Sequence, residues 1–124
     1  MLQNKPTKKR PSFQQIYMNL AVQLAERSTC SRKSVGCVIT SADFTKVLAV
    51  GYNGNAAGLP NGCDRPKNSG DCGCLHAEEN SLLKLDAPKS VEKIALITWS
   101  PCAYCAKRFI NSGGFKKIYY KQDY

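Results

Sequence analysis

Residues 94–120, IALITWSPCAYCAKRFINSGGFKKIYY, decide the fold. The uncharged apolar run IALITW (94–99) reads as a buried strand. Pro101 suits the first position of a helix, Gly113-Gly114 stop that helix, and KKIYY supplies a second strand. Strand, helix and strand in succession imply two parallel strands joined by a right-handed crossover. Upstream, a helical pattern from about His76 to Leu85 halts before Pro88. VGCVIT (35–40) and KVLAVGY (46–52) flank a polar connection around Asp43 and read as an antiparallel pair, with Cys37 inside its first strand. Ser12 and Gln15 form a capping box, after which Phe13, Ile16, Tyr17, Leu20 and Leu24 recur at helical spacing and predict a helix over 13–27. The order α-β-β-α-β-α-β contains two consecutive βαβ steps. It predicts an α/β domain, a mixed sheet of four to five strands with helices on both faces.

The 124 residues, 43% hydrophobic and 22% charged, suffice for one core and are too few for two domains. Nine glycines and six prolines without a period exclude a collagen-like chain. Lys and Arg outnumber Asp and Glu by 18 to 9, and Lys5, Lys8, Lys9 and Arg10 crowd into residues 1–11, a polar stretch read as a basic flexible arm before a single domain over 12–124. Without those four, 14 cations still face 9 acids, which favours an anionic partner. No run approaches the roughly 18 apolar residues of a spanning helix, and no secretory signal opens the chain, so a cytoplasmic protein with no membrane partner is expected. In that reducing compartment seven cysteines, an odd number, point to metal or catalysis rather than to disulfides.

His76-Ala77-Glu78 and Pro101-Cys102-Ala103-Tyr104-Cys105 together make H-x-E…P-C-x-x-C, the signature of zinc deaminases. Cys102 and Cys105, three apart on the first turn of a helix, can direct both sulfurs at one ion. His76 opens the preceding helix, and two helix N-termini at the carboxyl edge of a sheet favour the thiolates. Three protein ligands leave one tetrahedral position for water, whose pKa zinc lowers toward about 7. Glu78, beside that water and not a ligand, can carry its proton to a substrate. Adjacent Glu79 faces another direction and reads as a solvated helix residue.

RSTCSRKSVGCVI (27–39) and GYNGNAAGLPNGC (51–63) complete the pattern. Over about residues 27–120 the chain resembles the deoxycytidylate (dCMP) deaminases of the cytidine deaminase-like superfamily. The resemblance implies a three-layer α/β/α fold and zinc-dependent hydrolysis of dCMP to dUMP and ammonia, feeding thymidylate synthesis, with Glu78 protonating first the base and then the leaving amine. It places Asn53 near the sugar, the Ser100 carbonyl on the amino group, and the Ala77 and Cys102 amides on the base carbonyl. It assigns the 5′-phosphate to Arg27, Ser28 and Lys33, with Arg32 beside them. Tyr104 and Tyr120 either line the base pocket or merely pack.

Cys37 reads as a core side chain, leaving Cys30, Cys63, Cys72 and Cys74. The long Gly- and Pro-rich stretch 53–74 needs something to hold it, and these four thiols suit a second, structural zinc that clamps it. The family resemblance supports that clamp, with Cys72 or Cys74 open to replacement by another group. It also implies a homohexamer, activated by dCTP and inhibited by dTTP, each bound with Mg²⁺ near Gly54 and Asn55. Two rival readings follow from charge and motif: a deaminase acting on tRNA or single-stranded DNA, although nucleic acid is not the expected partner, and a non-catalytic, zinc-stabilised nucleotide-binding module.

Overall fold

The computed structural model describes residues 9–65 and 72–122. Residues 1–8 of the expected arm lie outside the described residues. The elements follow in the expected order: α1 (Phe13–Ala25), β1 (Gly36–Ser41), β2 (Val47–Tyr52), α2 (Ala77–Lys84), β3 (Lys93–Trp99), α3 (Ala103–Ser112) and β4 (Phe115–Gln122). The sheet runs β2-β1-β3-β4, with β1 antiparallel to both neighbours and β3 parallel to β4. β2 and β3 therefore run the same way with β1 between them, and both helical crossovers join strands of one direction. The sheet has four strands among the described residues, the lower of the two numbers expected.

Helices cover both faces, giving three layers. α1 lies so close to β1 that a Cβ at Gly36 would collide with the Ala21 carbonyl. On that side Val38 and Leu96, paired across β1 and β3, are fully buried with Ala21 and Ala25. On the other side Cys37, Ile39, Ala95 and Ile97 pack with Ala77 and Phe109 of α2 and α3. Cys37 is thus the core side chain expected of it. Burying each larger aliphatic contributes about 1.5–3 kcal/mol, and the fully buried central strands anchor whatever their ends carry. No helix among the described residues is long and apolar enough to cross a membrane.

Three helix ends depart from expectation. α1 closes at Ala25 because the next N–H groups tighten onto carbonyls three residues back, Glu26 on Gln23 at 3.1 Å and Arg27 on Leu24 at 3.0 Å. Pro101 is not the first helical residue: Cys102 is the N-cap of α3, its sulfur accepting from the Cys105 N–H at 3.5 Å, as a serine or aspartate oxygen does elsewhere. His76 is likewise the N-cap of α2 rather than its first residue. Both metal-type ligands therefore occupy positions where backbone turns from extended to helical.

Lys93, one residue before the expected strand, is its first member and is buried. Its ammonium donates to the carbonyls of Val91 at 2.8 Å, Pro88 at 2.9 Å and Gly113 at 3.1 Å. Those bonds tie the α2–β3 connection to the α3–β4 turn. Gly114 holds that turn at φ 86, where any Cβ would strike the Val91 carbonyl.

Candidate active site and metal centres

α2 sits directly on β2, since a Cβ at Gly51 would approach the Ala77 carbonyl at 2.6 Å and Ser81 Oγ at 2.5 Å. That close approach puts the head of α2 beside the head of α3. His76 Nδ1 lies 3.2 Å from Cys105 Sγ and 3.6 Å from Cys102 Sγ. Tetrahedral zinc, with bonds of about 2.0 Å to nitrogen and 2.3 Å to sulfur, places its ligands roughly 3.5–3.8 Å apart. The three donors fit it. Burial pushes the Cys105 thiol far above its usual range, so a thiolate there requires a cation within reach.

Glu78 is 4% exposed, and burial raises its carboxyl above the ordinary range, offset in part by its own N–H at the head of α2, by His76 and by the Cys105 thiol. A carboxyl raised by burial holds its proton more readily than a solvated one, which suits a group that both takes and gives a proton. It opens onto a cavity of about 340 Å³ that His76, Ala77, Asn53, Ser100 and Trp99 also line. That volume suits a small polar ligand of nucleotide size.

The cationic wall of the cavity consists of Arg32 and Lys33. Arg27 does not line it: its guanidinium bonds to the Tyr52 hydroxyl at 3.4 Å and lies 5.5 Å from that ring's centroid, behind β2. Ser28 does not line it either. Its hydroxyl accepts from the Cys30 N–H at 3.2 Å and donates to the Lys33 carbonyl, closing the turn that carries those residues. Asn53 lines the cavity, and its amide secures that turn, accepting from the Val35 N–H at 2.9 Å and donating to the Lys33 carbonyl at 2.7 Å. Tyr104 and Tyr120 are exposed and do not line the cavity.

Two residues escape the sequence reading. Trp99, at the end of β3, walls the cavity with the Lys33 ammonium 3.7 Å above its ring; a lone tryptophan two residues before P-C-x-x-C was the available signal. Glu79 is not merely solvated. Its carboxylate accepts from the His76 N–H at 2.9 Å and lies 3.4 Å from Arg108 of α3.

The remaining thiols converge as well. Donor atoms of Cys30, Cys63, Cys72 and Cys74 all lie within 4.8 Å of one another, with Cys30 Sγ 3.6 Å from Cys63 Sγ and 3.8 Å from Cys72 Sγ. Hydrogen bonds from Ser31 hold the Cys63 thiol down to about 6, while burial pushes Cys72 and Cys74 up. Four sulfurs at this spacing match a closed tetrahedral site. Gly54 and Asn55 brace the same loop: the Gly54 N–H donates to the Leu75 carbonyl at 3.1 Å, and the Asn55 amide bonds Pro60 and Asp64. Gly54's N–H is therefore directed at protein, while Gly54 and Asn55 both border a separate cavity of about 250 Å³ with Tyr52 and Lys84.

Known proteins resemble this chain in sequence and fold. The chain is 34% identical to the deoxycytidylate deaminase of Schizosaccharomyces pombe over 96% of its length and 37% identical to that of Saccharomyces cerevisiae over 93%. It spans 40% and 39% of those two relatives. The solved dCMP deaminase of cyanophage S-TIM5 in complex with dCMP and dUMP superposes with a TM-score of 0.81 at 31% identity, covering 94% of this chain and 86% of that one. The family model for the cytidine and deoxycytidylate deaminase zinc-binding region matches residues 11–122. The chain belongs to the cytidine and deoxycytidylate deaminase zinc-binding family.

Proposed function

We propose that this chain hydrolyses the amino group of dCMP, yielding dUMP and ammonia, with a zinc ion held by His76, Cys102 and Cys105. The observation that carries the reading is a buried Glu78 carboxyl, raised above its ordinary range by burial, in a nucleotide-sized cavity it shares with His76 of that triad and with two cations. Zinc bound there supplies a Lewis acid that makes a water molecule acidic at neutral pH. Glu78 would take one proton from that water and give it to the ring nitrogen, where it stays, then pass the second, from the hydroxyl now on the base carbon, to the departing amine, so that the water's oxygen ends as the base carbonyl and one ammonia leaves. The Ser100 carbonyl and the Ala77 N–H orient the base, Asn53 meets the sugar, and Lys33 with Arg32 receives the phosphate. The dCMP-bound cyanophage relative supports the substrate class.

Cys30, Cys63, Cys72 and Cys74 hold a second, structural zinc in this reading. Metal analysis then finds two zincs per chain, and Cys74→Ser reduces the count to one and exposes residues 53–64 to proteolysis. dCTP and dTTP, with Mg²⁺, act as activator and inhibitor in the smaller cavity bordered by Asn55, Tyr52 and Lys84. Assembly is as a hexamer, and sedimentation with and without dCTP tests both statements. Assaying ammonia release from dCMP, deoxycytidine, dCTP and a single-stranded oligonucleotide tests the central one. Turnover confined to the oligonucleotide, or binding of dCMP without turnover, overturns it.

A further inference from the structure

Lys33 and Trp99 reach the cavity wall from opposite sides. The Lys33 ammonium lies 3.7 Å from the centroid of the Trp99 ring, well inside the distance at which an indole face attracts a cation. Each partner is held from behind. Trp99 terminates β3 and packs against the hydrophobic core, while the Lys33 carbonyl accepts hydrogen bonds from Asn53 and Ser28. An unsupported lysine side chain samples many rotamers and spends most of its time in water. Stacked on a rigid ring, its charge stays at one point of the wall, three residues from the Cys102 ligand.

We propose that Trp99 is the positioning residue that fixes Lys33 as reader of the substrate's phosphate, and so sets a preference for a nucleoside monophosphate over the free nucleoside. This rests on the deaminase reading for its kinetic arm only. Trp99 acts through Lys33: the ring has no group that can bond a phosphate strongly, but its negative face holds the ammonium where a dianion at the cavity mouth meets it. Arg32 lines the same wall and reinforces the field there.

The chain has a single tryptophan, so intrinsic emission reports on this ring alone. The wild type and Lys33→Met differ in emission if the stack exists, and identical spectra overturn the proposal whatever the chain catalyses. In kinetics, Trp99→Leu lowers the ratio of kcat/KM for dCMP to that for deoxycytidine by about tenfold. Trp99→Phe, which keeps a π face, retains most of the ratio, and Trp99→Leu produces no further loss in the Lys33→Met background. A Trp99→Leu protein that loses both substrates in proportion, or that lowers the ratio further without Lys33, overturns it. Should Trp99→Leu not fold, the substrate ratios of Trp99→Phe and Lys33→Met decide, together with the emission of Lys33→Met against the wild type. Absence of any dCMP turnover in the wild type sinks the functional reading, and the spectra still judge the stack.

Discussion

Glu79 of α2 and Arg108 of α3 face each other as an ion pair at 3.4 Å, and the same carboxylate caps the His76 N–H at 2.9 Å. One side chain therefore links the helix capped by His76 to the helix capped by Cys102. Partial exposure of both groups screens the ion pair, which is worth at most about 1 kcal/mol; the cap adds about 1 kcal/mol. Glu79→Ala is expected to lose about 1–2 kcal/mol in urea denaturation and Arg108→Ala less than about 1 kcal/mol. Zinc transfer to a chromogenic chelator becomes faster in Glu79→Ala than in Arg108→Ala, because only the former loosens the His76 turn.

Glu78→Gln preserves shape while removing the titrating group. Ammonia release from dCMP should fall by at least about 10²–10⁴-fold, the usual range for a lost general acid-base. Zinc content should stay as in the wild type, since Glu78 is not among the three converging donors. A variant that loses metal together with activity would show that the carboxyl holds the site together rather than moving protons.

The parts legible in the sequence are those in which chemistry and spacing are local. Cys102 and Cys105 are three apart at a helix head, and the runs around Val38 and Leu96 are too apolar to face water. What escapes is set by chain crossings. Arg27 and Lys33 both belong to one basic stretch, yet the end of α1 turns Arg27 onto Tyr52 while the Asn53 bonds turn the following segment into the cavity. The Lys33–Trp99 stack joins a loop to a strand end far away in sequence, and no periodicity announces it. Lys93 misleads for a third reason: a lysine before an apolar run looks like a solvated strand start, and only the folded turns bring three carbonyls to its ammonium.

The hairpin joining β1 and β2 is a pH-dependent element. Asp43 Oδ1 accepts from Ser41 Oγ and Thr45 Oγ1 at 2.7 Å each and from the Thr45 N–H at 3.1 Å. These bonds lower its carboxyl from 3.8 to about 2. An acid whose pKa is depressed by folding stabilises the fold above its unfolded value and loses that contribution as pH falls through the folded one. Asp43→Ala should thus be less stable than the wild type at neutral pH, and the gap should close between about pH 4 and pH 2. Urea midpoints across that range check it; a gap independent of pH refutes the role of the charge.

Lys93 provides the sharpest stability test, because its charge is buried and fully engaged. Removing one partner from such a cluster costs more than the cluster itself contributes, since the groups left behind have given up water. Lys93→Met fills a similar volume but strands the carbonyls of Pro88, Val91 and Gly113. We expect a loss of about 3–5 kcal/mol, comparable with breaking a buried ion pair, read as a lower urea midpoint with an unchanged slope. Hydrogen exchange then locates the damage. The amides of the 113–114 turn and of Val91 should exchange faster, whereas those of β1, bonded on both sides by β2 and β3, should keep their protection relative to global unfolding. Uniformly faster exchange would instead mean that this lysine supports the whole sheet rather than the two turns it touches.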